Sequence, residues 1–352
     1  MPVPDLALLR LAAQRLVGTD CDTPADAVRT LTALQAQDHP GAVTSIALRT
    51  RNRSRAAVEA ALTSGEVVKS WPMRGTLHFV PAEDLPWMLE LMAPRVITGA
   101  APRRSRLELD EATLERAREL AIEALTGGRE LSRSALLACW EQAGLATTGQ
   151  RGYHLIWHLA QTGTFCFGPV RAGEQQLVLI EDWIPKPRSL EPEEALGELA
   201  RRYFRGHGPA SVKDFARWTK LRASQVRTAV ALARPELEAL TRNDVEYLMD
   251  PLTSDRLAGC LEQARGVLLL PGFDEYMLGY GDREAALPAP FSGRIVPGGN
   301  GMFRSTVIAG GQVVGTWIRF GRGGRRGVLA TPFTTFSPEV EAAVPDLFDA
   351  LP

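Results

Sequence analysis

Apolar residues in the middle of the chain recur at helical spacing and then change to the pattern of short strands. The helical pattern covers residues 111–125, begins again at Leu131, turns at Gly144 and resumes over residues 153–161. Two short strands follow, joined by a turn rich in glycine and proline around residues 168–173. Three helices followed by a hairpin is the order of a winged helix, a helix-turn-helix with a β-wing.

The next segment repeats this order. A helix is predicted over residues 192–204, a helix-turn-helix over 208–234, and a two-stranded wing over 237–250 that turns at Asn243-Asp244. Ser211 is a suitable N-cap for the first helix of the helix-turn-helix. The repetition predicts a second winged helix directly after the first.

The N-terminal part fits the same order more loosely. Helices are predicted over residues 6–16, 24–37 and 55–63, and a strand pair that turns at residues 72–75 follows them. From Gly266 onward the pattern changes to strands, with a hairpin at Gly310-Gly311 and a short closing helix over residues 338–347.

The predicted fold class is therefore α+β, with three tandem winged-helix (helix-turn-helix) modules followed by a mostly β C-terminal unit. The predicted boundaries are 1–105, 106–190, 191–258 and 259–352.

Composition adds limits to this picture. The chain has 352 residues, of which 45% are hydrophobic and 23% charged, as in an ordinary globular protein. Its first residues do not have the pattern of a signal peptide, and no run approaches the roughly 20 apolar residues of a membrane span. The four cysteines show no C-x-x-C spacing, which favours reduced thiols in a cytoplasmic protein and no metal site.

Charge gives mixed evidence on nucleic acid. The net charge of −1 lacks the excess of positive charge typical of a DNA-binding domain. The basic side chains are nevertheless almost all arginines, and these are clustered. The clusters are Arg49, Arg51, Arg53 and Arg55; Arg103, Arg104 and Arg106; and Arg319, Arg322, Arg325 and Arg326. Arginine suits phosphates and base edges, but a GC-rich genome also produces arginine-rich chains.

The C-terminal cluster lies in the sequence GRGGRRG, between two predicted strands. A flexible hairpin that carries arginines can enter a DNA groove, and it can equally be a solvated tip. Both interpretations are open on this pattern alone.

Common catalytic motifs are missing from the sequence. There is no phosphate-binding loop, no H-E-x-x-H and no G-x-S-x-G at a strand-to-helix turn, so neither a cofactor nor a metal is expected. His154 and His158 form an i, i+4 pair without a third ligand. Asp274-Glu275 and His78 each have two interpretations, a catalytic group or a structural hydrogen-bonding partner, and the structural one is the commoner.

The sequence LQAQDHP, residues 34–40, places two amides next to a carboxylate and an imidazole. On a helix, Gln35 and Gln37 would point about 200° apart and could not share a ligand. They could converge if the helix ended between them, and Pro40 with its neighbours favours such an end. The alternative is an ordinary polar helix end.

Four features together resemble the winged-helix DNA glycosylase family typified by AlkZ, an azinomycin-resistance enzyme. They are the three-module order, LQAQ, the block MRGTLHFVPAEDL and the block LLLPGFDEYMLGYGDR. The family has a catalytic Gln-hydrophobic-Gln motif, which would correspond to Gln35, Ala36 and Gln37. A related branch has Asp at the second polar position, so Gln37 places this chain with the branch that unhooks crosslinks.

The resemblance implies a monofunctional DNA glycosylase that removes N7-alkylguanine, including bulky adducts and interstrand crosslinks, in repair or antibiotic self-resistance. Such a base is already cationic and leaves as a neutral purine, so no strong general acid is needed. Gln37 would hold the nucleophilic water, and Gln35 would share in holding it or stabilise the sugar cation.

The expected partner is double-stranded DNA with an alkylated purine, bound by a monomer without a cofactor. The predicted DNA contacts are Arg51, Arg53, Arg55, Arg319, Arg322, Arg325 and Arg326. His78 is a possible additional site residue. The main alternative is a non-enzymatic winged-helix regulator of transcription, and a partner-binding protein with degenerate wings is a third possibility.

Overall fold

The computed structural model describes residues 5–321 and 327–352. Within these residues the helices, labelled α1 to α18 in chain order, are Leu6–Ala13, Pro24–Leu31, His39–Ala47, Arg55–Ser64, Leu85–Gly99, Ala101–Arg106, Glu111–Leu125, Arg133–Gln142, Arg151–Gln161, Ile180–Trp183, Pro192–His207, Val212–Thr219, Ala223–Ala233, Thr253–Gly259, Leu261–Arg265, Glu275–Leu278, Ser292–Ile295 and Pro338–Asp349. The strands, labelled β1 to β12, are Leu34–Gln35, Val67–Met73, Thr76–Pro81, Leu131–Ser132, Phe165–Arg171, Glu174–Leu179, Glu238–Arg242, Val245–Met249, Val267–Leu270, Thr306–Ala309, Gln312–Phe320 and Gly327–Pro332.

The chain forms two compact units of mixed helix and sheet. The first unit combines Met1–Val58 with Leu196–Pro352, and the second unit is Glu59–Ala195. This agrees with the mixed helix and sheet expected from the sequence. No helix in the described part of the chain is long and apolar enough to cross a membrane.

The second unit has the predicted order of three helices and a hairpin. Helices α7, α8 and α9 are followed by the β5–β6 hairpin, with the short strand β4 inserted before α8. The strands of this unit are ordered β3-β2-β5-β6-β4 and are antiparallel. Trp140 is fully buried, and its indole N–H donates to the Ala117 carbonyl at 3.0 Å. Helices α5 and α6, which precede α7, were not predicted from the sequence.

The first unit contains the other predicted helix-turn-helix and the β-rich C-terminal part. Helices α11, α12 and α13 lead into the β7–β8 hairpin, which turns at Asn243-Asp244, both with positive φ. Ser211 caps α12 as expected, by accepting from the Asp214 N–H at 3.1 Å. The remaining strands form an antiparallel sheet of order β12-β11-β10-β9, and α18 packs on it through Val340 and Val344.

The N-terminal helices are shorter than predicted. Helix α1 ends at Ala13 and α2 at Leu31, whereas the pattern predicted ends at residues 16 and 37. Helix α3 was not predicted at all. These differences matter because the two glutamines lie between α2 and α3.

Candidate active site

The glutamine segment, residues 34–38, is not helical: Leu34–Gln35 form the short strand β1, and the chain then bends at Gln37 and Asp38. Helix α2 has Thr23 as its N-cap and ends at Leu31. Thr32 has φ of 69°, a left-handed conformation that stops the helix, and β1 follows after Ala33. The predicted helix over residues 24–37 is therefore wrong beyond Leu31.

Side chains of this segment alternate between the interior and the surface. Leu34 and Ala36 are each 1% exposed, whereas Gln35 is half-buried and Gln37 is exposed. Leu34 and Ala36 thus face the core, whereas Gln35 and Gln37 lie on the solvent side of the segment. No helix end lies between the two glutamines, because α2 has already ended at Leu31.

The residues after Gln37 begin a helix instead of ending one. Asp38 is at the N-cap position of α3, and Pro40 lies in the first turn, where its missing N–H has no intrahelical partner to lose. A Cβ on Gly41 would lie 2.5 Å from the Asp38 carboxylate, so glycine is what lets that side chain lie against the turn. The prediction that Asp38 and His39 stop a helix is corrected accordingly.

A buried ion pair holds the end of α3 in place. Arg49 donates to both carboxylate oxygens of Asp274, at 2.8 and 2.9 Å, and the Ser45 hydroxyl donates to the same carboxylate at 2.5 Å. Burial by itself would raise the pKa of Asp274, but the guanidinium and these hydrogen bonds hold that pKa below its ordinary value. The carboxylate is therefore charged and saturated.

Further hydrogen bonds extend from the Arg49–Asp274 pair to Gln14, which directly follows α1, and from Gln14 to Tyr280 in the block LLLPGFDEYMLGYGDR. Arg49 also donates to the side-chain and backbone oxygens of Gln14, at 2.9 and 3.0 Å. Gln14 in turn donates to the Tyr280 hydroxyl at 3.0 Å. Arg10 lies over the Tyr280 ring, 3.7 Å from its centroid.

Glu275, the next residue, is also buried and hydrogen-bonded. Its Oε2 accepts from the Trp218 indole at 3.0 Å and lies 3.2 Å from Nε2 of His207. Both partners and Glu275 itself are almost completely buried. These contacts support the structural interpretation of Asp274-Glu275. We call the block LLLPGFDEYMLGYGDR the frame, because its Asp274 binds Ser45 of α3 and Arg49 just after α3.

A cleft of about 850 Å³ opens beside Gln37 within the first unit, and we call it the Gln37 cleft. Its walls come from the start of α3, the loop after β9, the loop before β10 and the β11–β12 hairpin. The lining residues are Gln37, Asp38, Pro40, Gly41, Thr44, Arg55, Pro271, Gly272, Phe273, Met302, Phe303, Arg304, Ser305, Thr316, Trp317, Ile318, Arg319, Leu329 and Thr331.

Two of the arginines predicted to contact DNA line this cleft. Arg55, at the start of α4, donates weakly to the Thr44 hydroxyl at 3.4 Å. Arg319, on β11, is exposed and lies 5.5 Å from the centre of the Phe348 ring. Arg304 adds a third guanidinium that the sequence did not single out.

Among the described residues, Arg51 and Arg53 do not line this cleft. Arg51 forms an exposed ion pair with Asp22 at 2.7 Å. Arg53 lines a separate cavity of about 430 Å³. The remaining three, Arg322, Arg325 and Arg326, lie outside the described residues.

His78 is on β3 in the second unit and is completely buried. Arg74 approaches its Nε2 at 2.8 Å and can act only as a donor, so Nδ1 carries the proton that is donated to the Thr76 carbonyl at 2.8 Å. These bonds account for His78 as a structural histidine, and its role as an additional site residue stays a prediction.

No group of three or more His, Cys, Asp and Glu side chains within residues 5–321 and 327–352 is arranged to hold a metal ion. His154 and His158 are both shifted to lower pKa, mainly by burial. Arg103 beside His154 and Arg104 beside His158 lower these pKa values as well, and their positive charge opposes a bound cation, whereas Glu111 raises the pKa of His158.

Sequence reasoning missed the apolar part of the Gln37 cleft. Ile318 and Leu329 are both more than half exposed, and Phe273 and Phe303 come from segments with no catalytic motif. The available signal was TWIRF, residues 316–320, since strand alternation puts Ile318 and Phe320 on one face and Trp317 on the other, so large apolar residues lie on both faces.

The comparisons with known proteins agree on one family. The model of the family described as DNA glycosylase AlkZ-like matches residues 28–351. A curated relative from Streptomyces sahachiroi, an interstrand DNA cross-link repair glycosylase, is 29% identical in an alignment of 334 positions that covers 88% of this chain and 85% of the relative. The solved structure of the Streptomyces sahachiroi DNA glycosylase AlkZ superimposes with a TM-score of 0.79 at 23% identity, covering 97% of this chain and 94% of that one.

The last comparison establishes the fold, and the family model adds the activity. Since that model covers nearly the whole chain, the chain belongs to the AlkZ-like DNA glycosylase family, whose members are hydrolases that act on N-glycosyl bonds.

Proposed function

We propose that this glycosylase hydrolyses the bond between deoxyribose and N7-alkylguanine in duplex DNA, with Gln35 and Gln37 as its catalytic residues. The observation that carries the proposal is the position of the two amides. Both lie on the solvent side of the segment between α2 and α3, and Gln37 lines a cleft that also contains Arg55 and Arg319.

The chemistry requires little from the protein when the base is cationic. The C1′–N9 bond breaks, its electron pair neutralises the purine, and the oxygen of a water molecule bonds to C1′ while its proton passes to solvent. Because the leaving group departs as a neutral base, two amides in place of a carboxylate pair are sufficient. Gln37 holds the water, and Gln35 shares in this or directs its carbonyl dipole at the developing sugar cation.

Binding of DNA is assigned to the winged-helix elements and to the arginines of the cleft. The helix and hairpin orders of α7–β6 and α11–β8 support a chain of winged helices, with residues 1–105 as a looser third module. Arg55 and Arg319 would contact phosphates on either side of the lesion, which gives affinity without sequence preference. A single chain is expected to suffice, because its modules are already linked.

The lesion proposed is a bulky natural-product adduct or an interstrand crosslink, as part of repair or self-resistance. Support comes from the printed function of the Streptomyces sahachiroi relative, which is interstrand crosslink repair. The non-enzymatic regulator considered from the sequence is not favoured, because the family is enzymatic.

Single-turnover excision from duplexes with one N7-methylguanine tests the proposal. We expect Gln37→Ala to lower the rate constant by about 100-fold, the usual size of a lost positioning group, while its DNA affinity and thermal stability stay those of the wild type. Gln14→Ala, which removes a structural glutamine of the same unit, should instead lower thermal stability. Full excision by Gln37→Ala would refute the assignment.

A further inference from the structure

Large apolar side chains are exposed around the Gln37 cleft. Met302, Ile318 and Leu329 line it, and they are 57%, 57% and 54% exposed. Scattered exposed apolar residues are common, but a group of three that lines one cleft indicates a binding surface.

The register of β11 with β12 places an apolar pair in the wall of the cleft. Thr316 is paired with Thr331 and Ile318 with Leu329, and all four residues line the cleft. The intervening Trp317 packs in the same apolar cluster as α18, is only 5% exposed and also reaches the lining. Trp317 thus anchors the strand pair, while Ile318 and Leu329 are exposed beside each other in the cleft.

Aromatic residues from two loops complete the lining. The rings of Phe273 and Phe303 are 6.2 Å apart between centroids. Phe273 has φ of 61°, a strained conformation for a bulky residue, directly before the buried Asp274. A Cβ on Gly272 would lie 2.6 Å from the Phe303 carbonyl, so the two loops approach closely. Aromatic walls in fixed positions are suited to a planar apolar group.

The size of the cleft also limits its occupant. A volume of about 850 Å³ is typical of sites for drug-sized molecules and far exceeds the needs of a methyl group. Gln37 and the guanidinium groups of Arg55 and Arg319 are in the same lining, so a molecule in the cleft would be next to the proposed reaction centre.

We propose that the Gln37 cleft binds the planar, apolar substituent of a bulky N7-alkylguanine, and that Ile318 and Leu329 thereby set a preference for bulky over small adducts. This inference rests on the proposed excision of N7-alkylguanine and specifies its substrate class. The substituent is covalently attached at N7, so its burial in the cleft would hold the lesion beside Gln37 without a pocket for the whole base.

The test compares two duplexes of one sequence, carrying N7-methylguanine or N7-(1-pyrenylmethyl)guanine. The measured quantity is the ratio of the single-turnover excision rate constants, pyrenylmethyl over methyl. Ile318→Thr with Leu329→Thr removes the apolar pair but keeps strand-forming, exposed residues, and we expect the ratio to fall about tenfold. Thr331→Phe instead places a large side chain in the cleft, which leaves less room for the pyrenyl group, so it should also lower the ratio.

Leu252→Thr is the matched control, because Leu252 is 55% exposed in the same unit and does not line the cleft. Its ratio should equal that of the wild type. An unchanged ratio in both cleft variants, whether the two rate constants fall together or not at all, would overturn the inference. The proposed function fails separately, if the wild type excises neither lesion or if Gln37→Ala excises both at the wild-type rate.

Discussion

Two stretches of the first unit carry the side chains that glycosidic chemistry uses, and the fold treats them in opposite ways. Asp274 and Glu275 are buried and accept hydrogen bonds from Arg49, Ser45 and Trp218. Gln35 and Gln37 instead point away from the core, and Gln37 lines an open cleft.

The difference shows how to distinguish a frame from a site. A buried carboxylate that accepts hydrogen bonds from buried donors has its access closed, so it positions other groups. An amide on the solvent side of a short segment can still bind water or substrate. Residue type alone would have favoured the acidic pair, because most glycosidases use two carboxylates.

The largest effect is expected from breaking the frame. Arg49→Met leaves the Asp274 charge buried without its main partner, which should lower the free energy of unfolding by about 3–5 kcal/mol. Urea denaturation measures this loss. Adding Asp274→Leu should restore part of it, since the buried charge is then gone. A loss below about 1 kcal/mol in Arg49→Met would mean that the pair does not hold α3 in place.

The pH dependence of stability sharpens this prediction. The contribution of Asp274 to the unfolding free energy should increase with pH in the wild type and decrease with pH in Arg49→Met. In the wild type the pKa of Asp274 is held low, so its contribution to stability is complete above the unfolded-state pKa of about 4 and is lost as the pH falls below it. Without Arg49, burial would raise the pKa of Asp274. The unfolding free energy of Arg49→Met should then fall as the pH rises above about 4.

A buried cation in the second unit provides the next largest effect. Lys69 is 8% exposed and has no ion pair among the described residues, and burial lowers its pKa to about 8. Its charge is thus a cost below pH 8, which disappears as the pH approaches the unfolded value of 10.5. Lys69→Met should raise the unfolding free energy by about 2 kcal/mol at pH 7 and by almost nothing at pH 10.5.

The contact of Lys69 with the Phe167 ring, at 4.8 Å, reduces this gain, because Lys69→Met loses the attraction between cation and ring and keeps only apolar contact. Thermal denaturation at the two pH values gives the comparison. A variant that is less stable than the wild type at pH 7 would show that this buried charge is compensated by the protein.

The smallest effect is expected at the surface. Arg51 and Asp22 form a short ion pair at 2.7 Å, but their side chains are 60% and 76% exposed. Solvent screens such a pair, so Arg51→Ala should change the unfolding free energy by less than about 0.5 kcal/mol. If Arg51→Ala lowered the unfolding free energy as much as Arg49→Met does, burial would not explain the difference between the Arg51–Asp22 and Arg49–Asp274 pairs.

Local pattern predicted much of the fold. The helices α7, α9, α12 and α13, the turns at Asn243-Asp244 and Gly310-Gly311, and the closing helix α18 are where periodicity, caps and turn residues placed them. The error around the glutamines arises because helix-breaking residues are found at both ends of helices. Asp38 to Gly41 can end a helix or begin one, and the pattern of short-range preferences does not choose between these.

The candidate site was predicted in part. The resemblance to a known family selected Gln35 and Gln37, and the arginine clusters suggested Arg55 and Arg319. Nothing local predicted that the latter two would line one cleft with Gln37, or that Arg51 and Arg53 would not.

By itself the sequence determined which groups were available: two amides separated by one small apolar residue, clustered arginines, and an acidic block after an apolar strand. The tertiary structure decided which of these groups are open to a substrate. The reason is that exposure depends on contacts between distant segments, such as that of Arg49 with Asp274, 225 positions apart. Such contacts follow from packing the whole core, whereas propensities and periodicity act over a few residues.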